Sequence, residues 1–208
     1  MIQIERPGRL EYDAALQLQF EMVEKRRSGE ITDTALLLEH EPVYTIGRTR
    51  DQSSLRDPED LPHPVVEISR GGQATYHGPG QLVGYLILDL KDYGRDLHLY
   101  LRALEAILID TCADFGLDAT RRDGLTGVWS ADRKLASIGV GVKHWISLHG
   151  FAINIGGDLT PFQSITPCGI SDVQMTSLSA ELGREILLSE FSSNLEPHLN
   201  RRLEELRR

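Results

Sequence analysis

The sequence predicts an α+β fold, in which a mixed, largely antiparallel sheet is flanked by helices. Two observations support this prediction: two long segments have the apolar spacing of amphipathic helices, and the stretch 127–155 is typical of successive hairpin strands. A third is that the β-rich runs are grouped, instead of alternating with helices as in a doubly wound sheet. With 208 residues, 40% of them hydrophobic, and no repeat or linker, we expect a single domain, 1–208.

In the N-terminal half, the first predicted helix spans 12–28. Its apolar residues follow the spacing of a helix with one buried face, and Gly29 is a typical C-terminal stop. The other elements expected in this half are strands at 35–39 and 43–46, a long loop at 48–64, a strand at 65–69, a glycine-rich loop and a buried strand at 82–90.

In the C-terminal half, the clearest predicted helix spans 96–115. Apolar residues recur there at spacings of three and four, which places Cys112 on the buried stripe. The β-rich stretch 127–155 follows this helix. From Ser171 onward the sequence predicts two helices, and we expect the second to be disturbed at Pro197, because proline lacks the amide hydrogen that a helix interior needs.

The charge balance argues against two classes of partner. Lysine and arginine number 22 against 31 aspartates and glutamates, which gives a net charge of −9 and a pI near 5.2. We therefore expect no non-specific binding to nucleic acid or to membrane surfaces. A local excess of positive charge is still present in the stretch 121–143. Its charged residues are Arg121, Arg122, Asp123, Asp132, Arg133, Lys134 and Lys143.

Nothing in the sequence predicts a membrane span or a secretory signal. The longest stretch without charged residues, 71–88, contains six glycines and prolines. The N-terminus lacks a basic start followed by an apolar run, so we expect a cytoplasmic protein. The two cysteines, Cys112 and Cys168, are far apart, and neither a disulfide framework nor a metal site is expected.

The segment RGGQATYHGPGQLVGY, residues 70–85, is the densest unusual stretch of the chain. A tight turn needs two to five residues, whereas about a dozen lie here between two apolar strands, which favours a ligand-binding role. Its five glycines would let the backbone approach a ligand closely, because glycine has no Cβ. The segment matches neither the P-loop nor the G-x-G-x-x-G pattern, so a nucleotide phosphate is not the favoured ligand.

A few side chains elsewhere are candidates for chemistry. Cys168 lies outside any apolar pattern and shortly before a predicted helix, so it is either a reactive nucleophile or a small buried residue, which is how we interpret Cys112. Lys134 would act as a base only if desolvated, and is otherwise a solvated turn residue. His77 and His149 could each be a base for Cys168 or a hydrogen-bonded pocket residue, and the sequence leaves both alternatives open.

Five segments, in their order along the chain, together resemble the lipoyl(octanoyl) transferases. The resemblance covers about residues 30–180 and is loose outside them. The glycine-rich segment is long enough to be specific, and the cysteine segment separates this family from its relatives. The segments are RGGQATYHGPGQLVGY at 70–85, GVW at 127–129, RKLASIGV at 133–140, HGFAINI at 149–155 and ITPCGI at 165–170.

The resemblance implies the fold of biotin and lipoate protein ligase catalytic domains, and an octanoyltransferase without a cofactor. An octanoyl (or lipoyl) group would move from acyl carrier protein to a lysine of a lipoyl domain, in 2-oxoacid dehydrogenases or the glycine cleavage H protein, as the first step of endogenous protein lipoylation. The family's acyl-accepting cysteine falls on Cys168 and its activating lysine on Lys134, which leaves His77 and His149 in pocket or orienting roles. The implied substrate-binding residues are Arg70, Gly71, Gly72, Gln73, Ala74, Thr75, Tyr76, His77, Ser137, Ile138, Gly139, Gly150, Phe151 and Ala152.

In the implied mechanism, neutral Lys134 takes the thiol proton and the Cys168 thiolate attacks the octanoyl thioester. The acyl-enzyme is itself a thioester, and its aminolysis gives a more stable amide, so no ATP is needed. Candidate oxyanion donors are backbone N–H groups at Cys168 and Gly169 or in the segment 135–139. We expect the acidic carrier protein to dock on the local positive charges of 121–143.

Other functions remain open from the sequence alone. An ATP-dependent lipoate or biotin ligase on the same fold would activate a free acid and need no nucleophilic cysteine, so a requirement for ATP would distinguish it. A module that binds lipoyl domains without catalysis would tolerate alanine at Cys168 and Lys134. A Cys–His thioesterase would release free octanoate without an acceptor protein.

Overall fold

A computed structural model of the chain describes residues 1–47, 52–56, 58–68, 70–169 and 173–207, without the side chains of Gln52 and Cys168. It confirms the predicted α+β class, with a mixed sheet between helices and a smaller sheet beside it. The helices are α1 (Tyr12–Ser28), α2 (Leu97–Asp114), α3 (Leu178–Leu182) and α4 (Leu188–Leu206). The strands are β1 (Gln3–Leu10), β2 (Thr34–His40), β3 (Val43–Ile46), β4 (Val65–Glu67), β5 (Thr75–His77), β6 (Gln81–Ile87), β7 (Val128–Ser130), β8 (Arg133–Lys143), β9 (Ile146–Asn154) and β10 (Gln174–Met175).

The large sheet contains seven strands in the order β1-β2-β6-β9-β8-β10, with β7 paired to β8. Strand β1 runs parallel to β2, and β10 runs parallel to β8. The other described pairs of this sheet are antiparallel, as the sequence predicts for a largely antiparallel sheet. The small sheet has the order β4-β3-β5 and contains part of the glycine-rich segment.

Helices cover both faces of the large sheet. On one face, Val23 of α1 packs in a cluster with Val83 and Leu148 of the sheet. On the other face, α2 and α4 share a larger cluster that includes Leu104 and Phe191. Among the described residues, no helix is both long and apolar enough to cross a membrane.

The two long helices predicted from apolar spacing are confirmed. Helix α1 begins and ends at the predicted residues, and Gly29 ends it in the left-handed conformation with φ 82°. Helix α2 agrees with its prediction to within one residue at each end. Strand β1 was not predicted, because it is a largely exposed edge strand that contains Pro7 and Gly8 and lacks apolar alternation.

One prediction for the C-terminal part, a helix shortly after Cys168, is wrong. A helix does not follow Cys168 closely, because β10 comes first and α3 begins only at Leu178. Helix α4 continues through Pro197, although proline removes one backbone hydrogen bond. Buried side chains at spacings of four hold this helix against the core on both sides of the proline. They are Phe191, Leu195, Leu199 and Leu203.

Asp33, just before β2, joins several elements through one buried carboxylate that is 3% exposed. It accepts hydrogen bonds from Arg26 Nε at 2.8 Å, the Tyr93 hydroxyl at 2.6 Å and the Asp89 backbone N–H at 3.1 Å. Burial alone would raise the pKa of this carboxyl, but the hydrogen bonds from Tyr93 and Arg26 hold it below the ordinary 3.8. The folded state therefore depends on an ionised Asp33.

We expect Asp33→Asn to lower the free energy of unfolding at pH 7 by about 1–3 kcal/mol. The Asp33 pKa is lowered on folding, so its contribution is present above pH 3.8 and is lost as the pH falls through the folded-state value. The difference in unfolding free energy between wild type and variant, measured with urea from pH 7 to pH 3, should therefore narrow at the acid end. Asp132→Asn is the control, because that side chain is 97% exposed. A difference that stays constant over the range would contradict this prediction.

Candidate active site

Strand β5 divides the glycine-rich segment between two environments. Successive side chains of a strand point to opposite faces. Thr75 and His77 accordingly line a cavity, whereas Tyr76 packs against Tyr44 and Phe162 in a separate hydrophobic cluster. Only part of this segment can therefore contact a ligand in the cavity.

The cavity has a volume of about 390 Å³ and lies against β8 and β9. It brings together most of the residues implied to bind substrate, and Lys134 with them. Gln73, Ala74 and Tyr76 are not among its lining residues; the Gln73 amide instead packs against the Gly169 backbone. The implied residues that line it are Arg70, Gly71, Gly72, Thr75, His77, Ser137, Ile138, Gly139, Gly150, Phe151 and Ala152.

Arg70 fixes the start of the glycine-rich segment over β8. Its guanidinium donates to the Thr45 carbonyl at 3.1 Å and to Thr45 Oγ1 at 2.8 Å, and the Gly71 backbone N–H donates to the Val140 carbonyl at 3.3 Å. A Cβ added at Gly139 would lie 3.1 Å from Arg70 Cδ. Glycine at this position therefore lets the arginine side chain lie directly on the strand.

Lys134 extends from β8 into the cavity wall and is 1% exposed. A Cβ added at Gly127 would lie 2.9 Å from Lys134 Cε and 3.5 Å from Nζ, so the absence of a side chain there makes room for the lysine. The amine also lies 5.4 Å from the centroid of the Trp129 ring. Lys134 is therefore a buried side chain of the cavity wall and not the solvated turn residue that the sequence left as the alternative.

Glu105 of α2 holds the segment that packs against Lys134. Its carboxylate is fully buried and accepts from Arg102 Nη1 at 2.7 Å, from Arg121 Nε at 2.9 Å and from the Gly127 backbone N–H at 3.1 Å. The residues between Arg121 and Gly127 include three that line the cavity, 124–126. One buried carboxylate thus fixes both a cavity wall and the glycine beside the lysine.

The exposed basic residues of 121–143 do not form a free cationic surface. Each lies within ion-pair distance of a carboxylate, and Lys134 is buried. Docking of the carrier protein on this stretch stays a prediction. Reversing one of these charges would also replace an ion pair by a repulsion between two carboxylates. The pairs are Arg121–Glu105, Arg122–Asp132, Arg133–Glu181 and Lys143–Glu24.

We expect Arg121→Glu to lower the free energy of unfolding by about 3–5 kcal/mol, because it sets a second carboxylate against buried Glu105. Lys143→Glu is the matched control from the same stretch, since Lys143 and Glu24 are both largely exposed and such pairs contribute at most about 1 kcal/mol. Urea unfolding of both variants measures the two effects. Equal losses would show that Glu105 does not depend on Arg121.

His77 presents one defined nitrogen to the cavity. The Gln81 amide nitrogen donates to Asn154 Oδ1 at 2.9 Å and lies 3.2 Å from the Tyr76 carbonyl, so Gln81 Oε1 must accept from His77 Nδ1, at 2.7 Å. The proton is therefore on Nδ1, and Nε2 is an acceptor. Burial, with a smaller effect of His40, places the pKa of His77 well below its ordinary value, so the ring is neutral at pH 7.

The backbone of Cys168 lies in a 3₁₀ turn, Pro167–Gly169, that packs against β5, while its thiol is outside the described atoms. The Gly169 N–H donates to the Thr166 carbonyl at 3.0 Å, so this predicted oxyanion donor is already occupied in the structure. Farther along, β10 pairs with Arg133 and Lys134, and the Thr176 N–H donates to the Lys134 carbonyl at 3.0 Å. The chain that leaves the cysteine turn is thus bonded to the strand of the lysine.

Several cavity residues were not predicted. Leu101 lies on the apolar stripe of α2, and Tyr12 is the first residue of the apolar stripe of α1. The sequence therefore predicts both as core residues and not as cavity residues. The loop 124–126 carries no motif. Within the described ranges, no group of three or more His, Cys, Asp or Glu residues is arranged to hold a metal ion.

Comparison with protein families gives one match that spans most of the chain. Residues 11–200 match the lipoyl protein ligase A/B catalytic domain. Relatives named octanoyltransferase include that of Geobacter metallireducens, 52% identical over 183 residues that cover 88% of this chain and 84% of the relative. The octanoyltransferase of Rubrobacter xylanophilus is 52% identical over 189 residues, covering 88% and 85%.

Solved structures show the same fold at low sequence identity. A lipoate-protein ligase A bound with ATP superposes with a TM-score of 0.78 at 13% identity, over 98% of this chain and 85% of that one. The biotin protein ligase of Aquifex aeolicus in complex with biotin and ATP gives a TM-score of 0.66 at 13% identity, over 100% and 72%. The predicted likeness to both ligase folds is confirmed.

Proposed function

Because this chain belongs to the octanoyltransferases, a family with the lipoyl protein ligase A/B catalytic domain, we propose that it transfers its octanoyl group through a thioester on Cys168. The donor in this proposal is octanoyl-acyl carrier protein, and the acceptor is a lysine of a lipoyl domain. The proposed catalytic domain is the whole chain, 1–208. A cytoplasmic location is part of the proposal, in keeping with a reaction that needs a reduced thiol.

The first step exchanges one thioester for another. The Lys134 amine takes the proton of the Cys168 thiol, the sulfur attacks the octanoyl carbonyl, and the carrier thiolate leaves with the proton that Lys134 returns. In the second step the neutral amine of the acceptor lysine attacks the acyl-enzyme. The amide forms, the C–S bond breaks, and the amine proton ends on the Cys168 sulfur.

One observation supports this assignment more than any other: buried Lys134 lines the cavity, on the strand that pairs with the chain leaving the cysteine turn. The cavity walls suit an acyl chain, since Val83, Ala152 and Phe151 contribute apolar surface. Arg70, Gly71, Gly72 and Thr75, together with Ser137 to Gly139, are the proposed binding residues around the thioester. His77, neutral and with a free acceptor nitrogen among the described contacts, is the proposed orienting residue.

The test is an intact-mass measurement on the purified protein mixed with octanoyl-acyl carrier protein, without ATP. We expect an octanoyl adduct on the enzyme that disappears when a lipoyl domain is added and then appears on that domain. Transfer that requires free octanoate and ATP would instead favour the ligase reaction. Release of octanoate without an acceptor would favour a thioesterase.

A further inference from the structure

His149 is a buried side chain of the cavity that the proposed mechanism does not use. It is 2% exposed and lines the cavity, yet neither Nδ1 nor Nε2 has a hydrogen-bond partner among the described residues. A neutral imidazole carries one donor and one acceptor, and leaving both unpaired in a buried site is costly. A ring in this state is suited to a ligand that supplies the missing partner.

The position of His149 is opposite to that of Lys134 along the cavity. The His149 ring lies beside Gly141, where an added Cβ would be 3.3 Å from Cδ2. The Lys134 amine lies beside Gly127, which packs on the Ala136 carbonyl. Ala136 and Gly141 are five residues apart on β8, or roughly 16 Å at 3.3 Å per residue. Lys134 and His149 thus both line the cavity, at positions that are separated along β8 by about this distance.

The backbone of His149 is held in an uncommon conformation that directs the ring. Its φ is 59°, in the left-handed region that residues other than glycine seldom adopt. The side-chain oxygen of Gln19, from α1, accepts from the His149 backbone N–H at 2.8 Å and stabilises this conformation. The conformational cost would be hard to explain if the ring had no partner when the site is filled.

The ring is neutral in this environment. Burial, and then the positive charge of Arg70, lower the pKa of His149 to about 4. At pH 7 it therefore offers one N–H and one lone pair, which suits a neutral donor and acceptor better than an anion. The cavity wall near His149 combines apolar and aromatic side chains with the charged Arg70, and the Tyr85 ring lies edge-on with its centroid 6.2 Å away.

We propose that His149 forms a polar subsite for the far end of the acyl chain, which favours medium-length acyl thioesters with a hydroxyl group at that end. This inference rests on the proposed function, because it takes the reacting carbonyl to lie at the Lys134 end. In the subsite, the imidazole nitrogen that faces the chain end either donates to the hydroxyl oxygen or accepts from the hydroxyl hydrogen, according to the tautomer. His149 acts in recognition and has no part in bond breaking.

The experiment compares two thioesters that differ by one group at the chain end. In 8-hydroxyoctanoyl the terminal group is a hydroxyl, and in nonanoyl it is a methyl of similar size. For wild type we expect kcat/KM of Cys168 acylation to be about tenfold higher with 8-hydroxyoctanoyl. In His149→Phe this preference should disappear. His98→Phe, the same substitution at an exposed position of α2 that does not line the cavity, should keep the preference.

Two further measurements distinguish failure of the subsite from failure of the proposed function and from unfolding of the variant. Equilibrium binding of 8-hydroxyoctanoate and nonanoate to wild type tests the subsite even if no acyl-enzyme forms, so failure of the proposed function would not hide the result. Thermal unfolding shows whether His149→Phe is folded, and the wild-type comparison stands if it is not. Equal or weaker use and binding of the hydroxylated chain by wild type would overturn the inference.

Discussion

Lys134→Arg is expected to form the Cys168 acyl-enzyme nearly as slowly as Lys134→Ala, about 10²–10⁴-fold below wild type. A general base must be neutral before the reaction, and a guanidinium cannot give up its proton in the working pH range. The buried setting of Lys134 beside Gly127 also leaves little room for the larger arginine head. The measurement is the rate of Cys168 acylation, because overall turnover also includes attack by the acceptor lysine.

A third variant should remove the amine while keeping most of the length of the side chain. Lys134→Met keeps most of the side-chain length without the charge or the amine, and should be as slow as the arginine variant. Thermal unfolding of each variant shows whether the cavity wall is intact. If Lys134→Arg kept substantial acylation while Lys134→Met lost it, the lysine would be an electrostatic partner. His77 and His149 would then be the next bases to test.

Cys168→Ser is expected to abolish octanoyl transfer and to leave no acyl group on the protein after mixing with octanoyl-acyl carrier protein. A serine hydroxyl is a far weaker nucleophile than a thiolate at neutral pH and needs a stronger base to activate it. Peptide mapping after short incubation of wild type should find the octanoyl group on Cys168. Full activity of the serine variant would contradict a thioester intermediate.

Cys112 is the matched control for this test. It is fully buried on the core-facing side of α2, and burial raises the pKa of its thiol to about 12. We expect Cys112→Ala to fold with a modest loss of stability and to keep transfer activity. Alanine is preferred over serine here, because a hydroxyl in this apolar cluster would need a hydrogen-bond partner. Octanoyl found on Cys112 would contradict the assignment.

Apolar spacing predicted the elements that bury one face, and it could not predict those that do not. Helices α1 and α2 follow their stripes closely, because burial of a stripe is what stabilises a helix in a domain. Strand β1 is mostly exposed, and β10 has only two residues, so neither leaves a periodic pattern. Helix α4 continues through Pro197, since four buried residues hold the helix against the core on both sides of it.

In the candidate site, too, some residues could be predicted from the sequence and others could not. Glycines 71 and 72 were singled out because the glycine-rich segment is conspicuous in the sequence, and Gly139 and Gly150 came from the family resemblance; all four line the cavity. The role of Glu105 had no such mark, since a carboxylate on an exposed-looking helix position is ordinary. Glu105 is buried because the chain after α2 folds back against it and contributes hydrogen bonds from Arg121 and Gly127. Such a tertiary contact leaves no local pattern in the sequence.

The pairing of β10 with β8 makes the register of this short strand a constraint on evolution and engineering. The chain is fixed where Pro167–Gly169 packs against β5, and again where Gln174 and Met175 pair with Arg133 and Lys134. One residue inserted or deleted within the paired strand would slide it by about 3.3 Å and exchange its two faces. Introducing the proposed thioester chemistry into a related ligase would therefore require transferring the cysteine turn, the connecting residues and β10 together.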